Sequence, residues 1–286
     1  MNRKGQGRSA LLVALAGVCW SFAGVLSRFT SWSAFSLAGF RSIIAILLVG
    51  AIRKSFRPRN TLWNWVGALG VAATSTLFMI ANKLTSAANA IVLQYAMTAI
   101  VIVVQIVFFG VRPRRLDVGS ALLVMLGVVL CFCQGLGRGQ FLGDVLAFGS
   151  AFTWAVVFLA ARMPGVDSLS YAYQGNLLAC LFLICAPFDP AVAAGGLRGW
   201  IVPTAMGLCL GLGYVCFAMG MKEKISPTVA AIVANIEPVL NPMWVLIFLG
   251  ETPGKLSLIG AAVVLITVTF YALCNSDSSE KRRRNV

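Results

Sequence analysis

Ten apolar stretches, each long enough to cross a bilayer as a helix, fill almost the whole chain and fall into two sets of five. A hydrocarbon core about 30 Å thick takes roughly 20 apolar helical residues to cross. The predicted spans are 10–27, 33–52, 61–82, 86–111, 116–136, 140–161, 168–188, 199–221, 225–250 and 255–275. Connections of a few residues leave no room for an inserted soluble domain. Barrel strands would be about ten residues long and would alternate apolar with polar. These runs are longer and apolar on all sides, so the expected fold class is all-α and integral to the membrane. The first span lacks a small-residue cleavage site and is followed at once by another span, so it reads as a membrane helix and not as a cleaved signal.

Five is an odd number, and that decides the expected symmetry. A repeat with an odd number of spans enters the membrane from opposite sides in its two copies. The charges test this. With a cytoplasmic N-terminus, 17 of the 23 Lys and Arg residues fall on the inner side, five fall outside and Arg41 lies within a span. Such an excess is the positive-inside pattern. It puts both termini in the cytoplasm and leaves the basic residues a topological task. Nucleic-acid binding, which a net charge of +14 could suggest, is not expected, because there is no folded polar surface to carry it.

The two sets also align. Trp20 and Arg28 are spaced as Trp154 and Arg162 are. Further on, an offset of 140 pairs Gly67 with Gly207, Met79 with Met219, Ser86 with Ser226 and Ala90 with Ala230. It also pairs Phe108 and Gly110 with Phe248 and Gly250, and Leu116 with Leu256. A duplication is expected, with repeats at 1–139 and 140–286, the second ending in a short basic tail. The charge count makes the two copies inverted, because span 1 starts inside and span 6 outside. Two inverted copies around a midplane site are a common build for a secondary transporter.

The eight cysteines are scattered through apolar spans, and the chain has no histidine. No zinc pattern forms, so they read as small packing residues, and no metal or cofactor is expected. A membrane-embedded enzyme would need clustered acids, histidines or a nucleophile–base pair. Only Glu237 of nine acidic residues lies deep in a span, so no enzyme is expected.

The chain resembles a ten-span member of the drug/metabolite transporter superfamily with two EamA-type domains. The marks are Asn235-Ile236-Glu237-Pro238-Val239-Leu240, Phe248-Leu249-Gly250-Glu251, Trp20-Ser21, Arg41 and Thr85-Ser86-Ala87-Ala88. The resemblance covers residues 10–275 and implies a secondary transporter in the inner (plasma) membrane, exporting amino acids or related metabolites. It implies that spans 1, 3, 4, 6, 8 and 9 surround a central cavity, with spans 5 and 10 at the periphery. The first copy departs from the pattern at Met97-Thr98, where the second has Glu237-Pro238.

Glu237 lies about ten residues into span 9, roughly 15 Å deep and near midplane. A carboxylate there is costly unless it faces water or a partner. Pro238 and Pro242 free backbone carbonyls at similar depth. Substrate or proton binding and a structural hydrogen bond are both open readings. Arg41 sits within reach of that depth, so a pair with Glu237 that lowers the cost of both charges is one reading; span 2 lies off the implied cavity, which favours its snorkelling outward or holding carbonyls.

The candidate substrate-binding residues are Trp20 and Ser21 in span 1, Thr76 in span 3 and Gln94, Tyr95 and Thr98 in span 4. Trp154 in span 6, Tyr214 in span 8, and Asn235, Glu237 and Asn241 in span 9 complete them. Gln94 and Thr98 share a helix face at four-residue spacing, as do Glu237 and Asn241. Aromatic walls with few polar groups suit a small zwitterion. A lone buried carboxylate also suits organic cations, the alternative substrate class. The expected partners are this small molecule and the lipid bilayer, with a monomer sufficient because the chain carries its own duplication. Gly207 and Gly211 predict close helix packing in span 8.

Overall fold

The computed structural model describes residues 3–110, 115–135, 140–222, 230–231, 233–234, 236–250 and 254–284. All regular structure among them is helical. The helices are α1 (Arg3–Arg28), α2 (Ala34–Arg53), α3 (Leu62–Leu84), α4 (Ala87–Gln94), α5 (Met97–Phe109) and α6 (Arg115–Gly135). After these come α7 (Phe141–Ala160), α8 (Ser168–Ala179), the short α9 (Pro190–Ala194), α10 (Ile201–Lys222), α11 (Ile236–Leu249) and α12 (Lys255–Arg284). Seven stretches among the described residues are long and apolar enough to cross a membrane. Shorter apolar helices at Val118–Gly127, Ile236–Leu249 and Leu258–Thr267 fall within the predicted fifth, ninth and tenth spans.

Two predicted spans are not single α-helices. The fourth breaks at Tyr95 and Ala96, between α4 and α5. The seventh passes from α8 into a 3₁₀ helix over Cys180–Phe188, which contains Pro187. Entry into the helices follows local rules. Ser33, Thr61 and Ser86 each accept a hydrogen bond from the backbone N–H three residues on, satisfying a donor the helix start leaves open. Gly110 and Gly250, a pair matched by the repeat offset, end α5 and α11 at φ +63° and +65°, a left-handed conformation suited to glycine.

Lipid offers no hydrophobic drive between helices, so close contact depends on small residues. α10 packs against α1 and α2, α3 against α7 and α8, and α6 against α12. The predicted tight face of span 8 is where α10 meets α2. A Cβ on Gly207 would stand 2.5 Å from Ile44 Cβ and 2.8 Å from the Arg41 carbonyl oxygen. On Gly211 it would stand 2.8 Å from Leu48 Cδ2. On Gly127 it would stand 2.7 Å from the Gly260 carbonyl oxygen, which brings α12 against α6.

Outside the spans, Asp189 ties the start of α2 to the loop after the 3₁₀ helix. Its carboxylate accepts from the N–H groups of Ser33 at 2.7 Å and Ala191 at 3.1 Å. Partial burial pushes this carboxyl up, but hydrogen bonds from Ser36, Ser33 and Ala191 outweigh it and hold it below the usual range.

Gly207→Ala should cost roughly 1–3 kcal/mol through overpacking, read as a lower thermal unfolding temperature in detergent. Gly149→Ala, whose Cβ meets nothing within 4 Å, should leave that temperature unchanged or raise it. The Asp189 tie has its own pH signature. A depressed folded-state carboxyl contributes stability above its unfolded pKa, about 3.9, and loses it as pH falls through the lower folded value. Acid scans should therefore show wild type losing stability that Asp189→Asn already lacks at neutral pH.

Candidate functional site

The break at Tyr95 and Ala96 meets the start of α11, with its Pro238, in the interior of the protein. In an unbroken helix the N–H of residue 238 would bond to the carbonyl of Ala234, but Pro238 has none. Glu237 N–H takes part of that carbonyl's capacity at 3.0 Å. The Tyr95 hydroxyl, at the break between α4 and α5, bonds to the same carbonyl at 2.8 Å and to Glu237 Oε2 at 2.6 Å. Tyr95 is fully buried and Glu237 is 4% exposed. One side chain thus stands within hydrogen-bond reach of both a carbonyl that has lost its usual helix donor and the Glu237 carboxyl, its single proton shared between them.

Glu237 lines a cavity with Trp20 and Ala23 of α1, Arg41 of α2, and Thr74, Ser75 and Phe78 of α3. Gln94 of α4, Trp154 of α7, and Leu210 and Tyr214 of α10 complete the wall. The space open to water centres is about 50 Å³. At roughly 10–15 Å³ per water on that measure, it takes a few waters and no amino acid.

The aromatic wall is built by direct ring contacts. Trp20 meets Trp154 edge-on at 5.0 Å and Tyr214 at 5.5 Å. Beneath them Phe158 and Phe217 touch at 5.0 Å, and Phe158 meets Trp154 at 5.4 Å. Trp20 fits because residue 213 is glycine; a Cβ there would stand 2.2 Å from Trp20 Nε1. The Trp20 indole donates to the Leu210 carbonyl at 3.4 Å. Trp154 Nε1 is buried without an acceptor among the described residues.

Arg41 is the second charge in the cavity. Its Nη2 donates to the Ser75 carbonyl at 3.0 Å and the Ser75 hydroxyl at 2.6 Å. It makes no ion pair with Glu237 among the described residues. Holding a carbonyl was one expected use of this side chain; a place on the cavity wall was not. Span 2 reaches the cavity because Gly207 lets α2 and α10 close on each other beside Arg41.

Of the eleven candidate residues, Trp20, Gln94, Trp154, Tyr214 and Glu237 line this cavity. Tyr95 stands behind it as the holder of Glu237. Ser21 donates to the Val18 carbonyl and accepts from Trp244 Nε1 at 3.0 Å, linking α1 to α11. Thr76 turns to the Ala72 carbonyl of its own helix at 2.9 Å. Thr98, beyond the break at Tyr95 and Ala96, is buried and does not line the cavity. Asn241, also fully buried, lies against Gly24, where a Cβ would stand 2.4 Å from its amide nitrogen. Asn235 lies outside the described residues.

Sequence reasoning missed Thr74, Ser75 and Phe78. The four-residue spacing of Thr74 and Phe78 was the available signal, since it marks one face of α3. That face continues to α7, where Thr74 and Thr153 share a hydrogen bond of 2.7 Å.

Replacing Tyr95 by Phe keeps the ring and removes both hydroxyl bonds. The variant should lose roughly 1–3 kcal/mol for the buried acceptors left open, measured as a lower unfolding temperature in detergent.

Comparison with known proteins followed from this geometry. The EamA-like transporter family matches the chain twice, over residues 7–133 and 141–273. The pseudopaline exporter CntI of Pseudomonas aeruginosa (strain PAO1) is 26% identical over 275 residues, covering 92% of this chain and 94% of that protein. A transporter of Clostridium kluyveri is 23% identical over 214 residues, covering 70% and 68% of the two chains. A protein of known crystal structure, 20% identical, shares the fold with a TM-score of 0.72 over 94% of this chain and 98% of its own.

Proposed function

Because the chain belongs to the EamA-like transporter family, we propose that it is a secondary transporter that exports amino acids across the cytoplasmic membrane by alternating access. Membership makes it a multi-pass membrane transporter. The amino-acid substrate, the direction and the mechanism are the proposal. One observation carries the substrate class: Arg41 and Glu237 face a single aromatic-walled cavity without pairing to each other. A zwitterion complements both, its carboxylate on Arg41 and its ammonium on Glu237 and the faces of Trp20 or Trp154. Trp154, whose Nε1 has no acceptor among the described residues, adds a donor to the same wall. An organic cation would leave the Arg41 guanidinium facing it, so the efflux of drug-like cations is the weaker reading.

Packing supports the inverted ten-span arrangement. In the aligned repeats α1 corresponds to α7, α2 to α8, α3 to α10, and α4–α5 to the ninth span. Exchanging the halves turns the α1–α10 contact into α7–α3 and the α2–α10 contact into α8–α3, and both pairs are observed. The α6–α12 and α2–α8 contacts map onto themselves. The meeting of Trp20 with Trp154 is what a two-fold between the halves requires.

The conformation fits an occluded step. At the end of α7 that the charges assign to the outside, Asp144 Oδ1 accepts from Thr85 Oγ1 at 2.6 Å and Asn89 Nδ2 at 2.7 Å. These bonds close the second half on the first. Toward the other end the Phe158–Phe217 pair packs against Trp154. A small space between packed ends would open to either side as the halves rock.

Proteoliposomes loaded with neutral amino acids test the reading. Glu237→Gln and Arg41→Gln should each lower efflux by roughly ten-fold or more, the worth of one charge-assisted bond. Arg41→Gln should also shift preference toward the matching decarboxylated amines. Unchanged selectivity between amino acid and amine in Arg41→Gln would sink the zwitterion assignment.

A further inference from the structure

A second, larger recess opens beyond the Phe158–Phe217 pair. Lys222 ends α10, eight residues or roughly 12 Å from Tyr214 at helical rise, and Arg162 follows just past the end of α7, eight residues after Trp154. Two adjoining hollows of about 580 and 460 Å³ lie there and share Arg59, Asp167 and Lys222 as walls. Together they present five basic side chains, Arg53, Arg57, Arg59, Arg162 and Lys222, and one acid, Asp167.

Among the described residues the cations are not balanced from within. Asp167 accepts from the Ser170 hydroxyl at 2.5 Å and forms no ion pair with Arg59, Arg162 or Lys222 among the described residues. Arg53 is braced by the Ser55 and Arg57 carbonyls and lies 4.9 Å over the Tyr173 ring. Two buried amides bonded to wall residues have their oxygens taken and their donors left over. Gln174 and Asn64, both fully buried, bond by their side-chain oxygens to the N–H groups of Arg59 and Asp167. That leaves Gln174 Nε2 and Asn64 Nδ2 without an acceptor, as is Arg162 Nε. A topogenic charge excess needs neither a hollow nor buried donors around it.

We infer that this recess binds an anionic group, a carboxylate or phosphate of a small solute or of a lipid headgroup, on the side from which export would load. The inference rests on the transporter reading only for that direction. As a loading site it gathers acidic substrate before the aromatic floor opens to the central cavity.

The test uses the full chain in phosphatidylcholine discs, titrated by calorimetry with citrate and, separately, with inorganic pyrophosphate. Saturable binding is expected. Changing Arg59, Arg162 and Lys222 together to Gln should weaken it by roughly ten-fold or more. The control Arg8→Gln/Lys54→Gln/Arg115→Gln removes equal charge elsewhere on the same side and should leave it within about two-fold. If the triple variant fails to fold, Arg59→Gln and Lys222→Gln, at exposed side chains, should each show part of the loss. Phosphatidylglycerol discs separate the sources. Competition with citrate keeps the anion site and assigns it to lipid, while indifference assigns it to soluble anions. Absent saturable binding, or equal binding by wild type and the triple variant, overturns the site. Arg41→Gln should leave the titration unchanged, and a wild-type chain that binds citrate but exports no amino acid would overturn the central-site reading alone.

Discussion

A carbonyl without its donor is tolerable inside a bilayer only where another group takes the bond. Pro238 removes the usual donor from Ala234, the Glu237 N–H takes its place, and the Tyr95 hydroxyl joins from the other half of the chain. The same hydroxyl holds Glu237, so the carboxylate's direction is set by the repair of the backbone. Tyr95 can reach because its own helix breaks there. The two interruptions stabilise each other and put a charge, free of an ion pair, beside a small space.

Around this centre the helices are brought close by what their side chains lack. Gly213 admits the Trp20 ring, Gly207 draws Arg41's helix onto α10, and Gly24 makes room for Asn241. Each substitution of a hydrogen for a methyl is a packing decision with a functional consequence. Without Gly213 the Trp20 indole could not stand against Trp154. Without Gly207 the guanidinium of Arg41 would have no place on the cavity wall.

Much of this was legible beforehand. Apolar run length dictated helices, and the depth of Glu237 marked it as central. The aromatic candidates Trp20, Trp154 and Tyr214 came together because large rings in neighbouring spans had one common interior to fill. The errors have a physical pattern. Gln94 and Thr98 were placed on one face by a rule that holds only for continuous helices, and no proline or glycine announced the break at Tyr95 and Ala96. Thr76 was preferred over Thr74 and Ser75 because composition does not give rotational phase. A threonine that bonds back to its own helix looks, in sequence, like one that faces a cavity.

The sequence by itself determined what the bilayer enforces: helices throughout, their approximate limits, the excess of positive charge on one side, and a repeat with a single deep carboxylate in its second copy. Those properties follow from local hydropathy and charge, which need no neighbour. Tertiary structure alone decided which residues share the central space. It brought Arg41 to the wall, sent Thr98 and Asn241 away from it, and made Tyr95 the holder of Glu237. Those outcomes depend on helix rotation, on where helices break and on how near glycine lets backbones come, and such quantities exist only between segments.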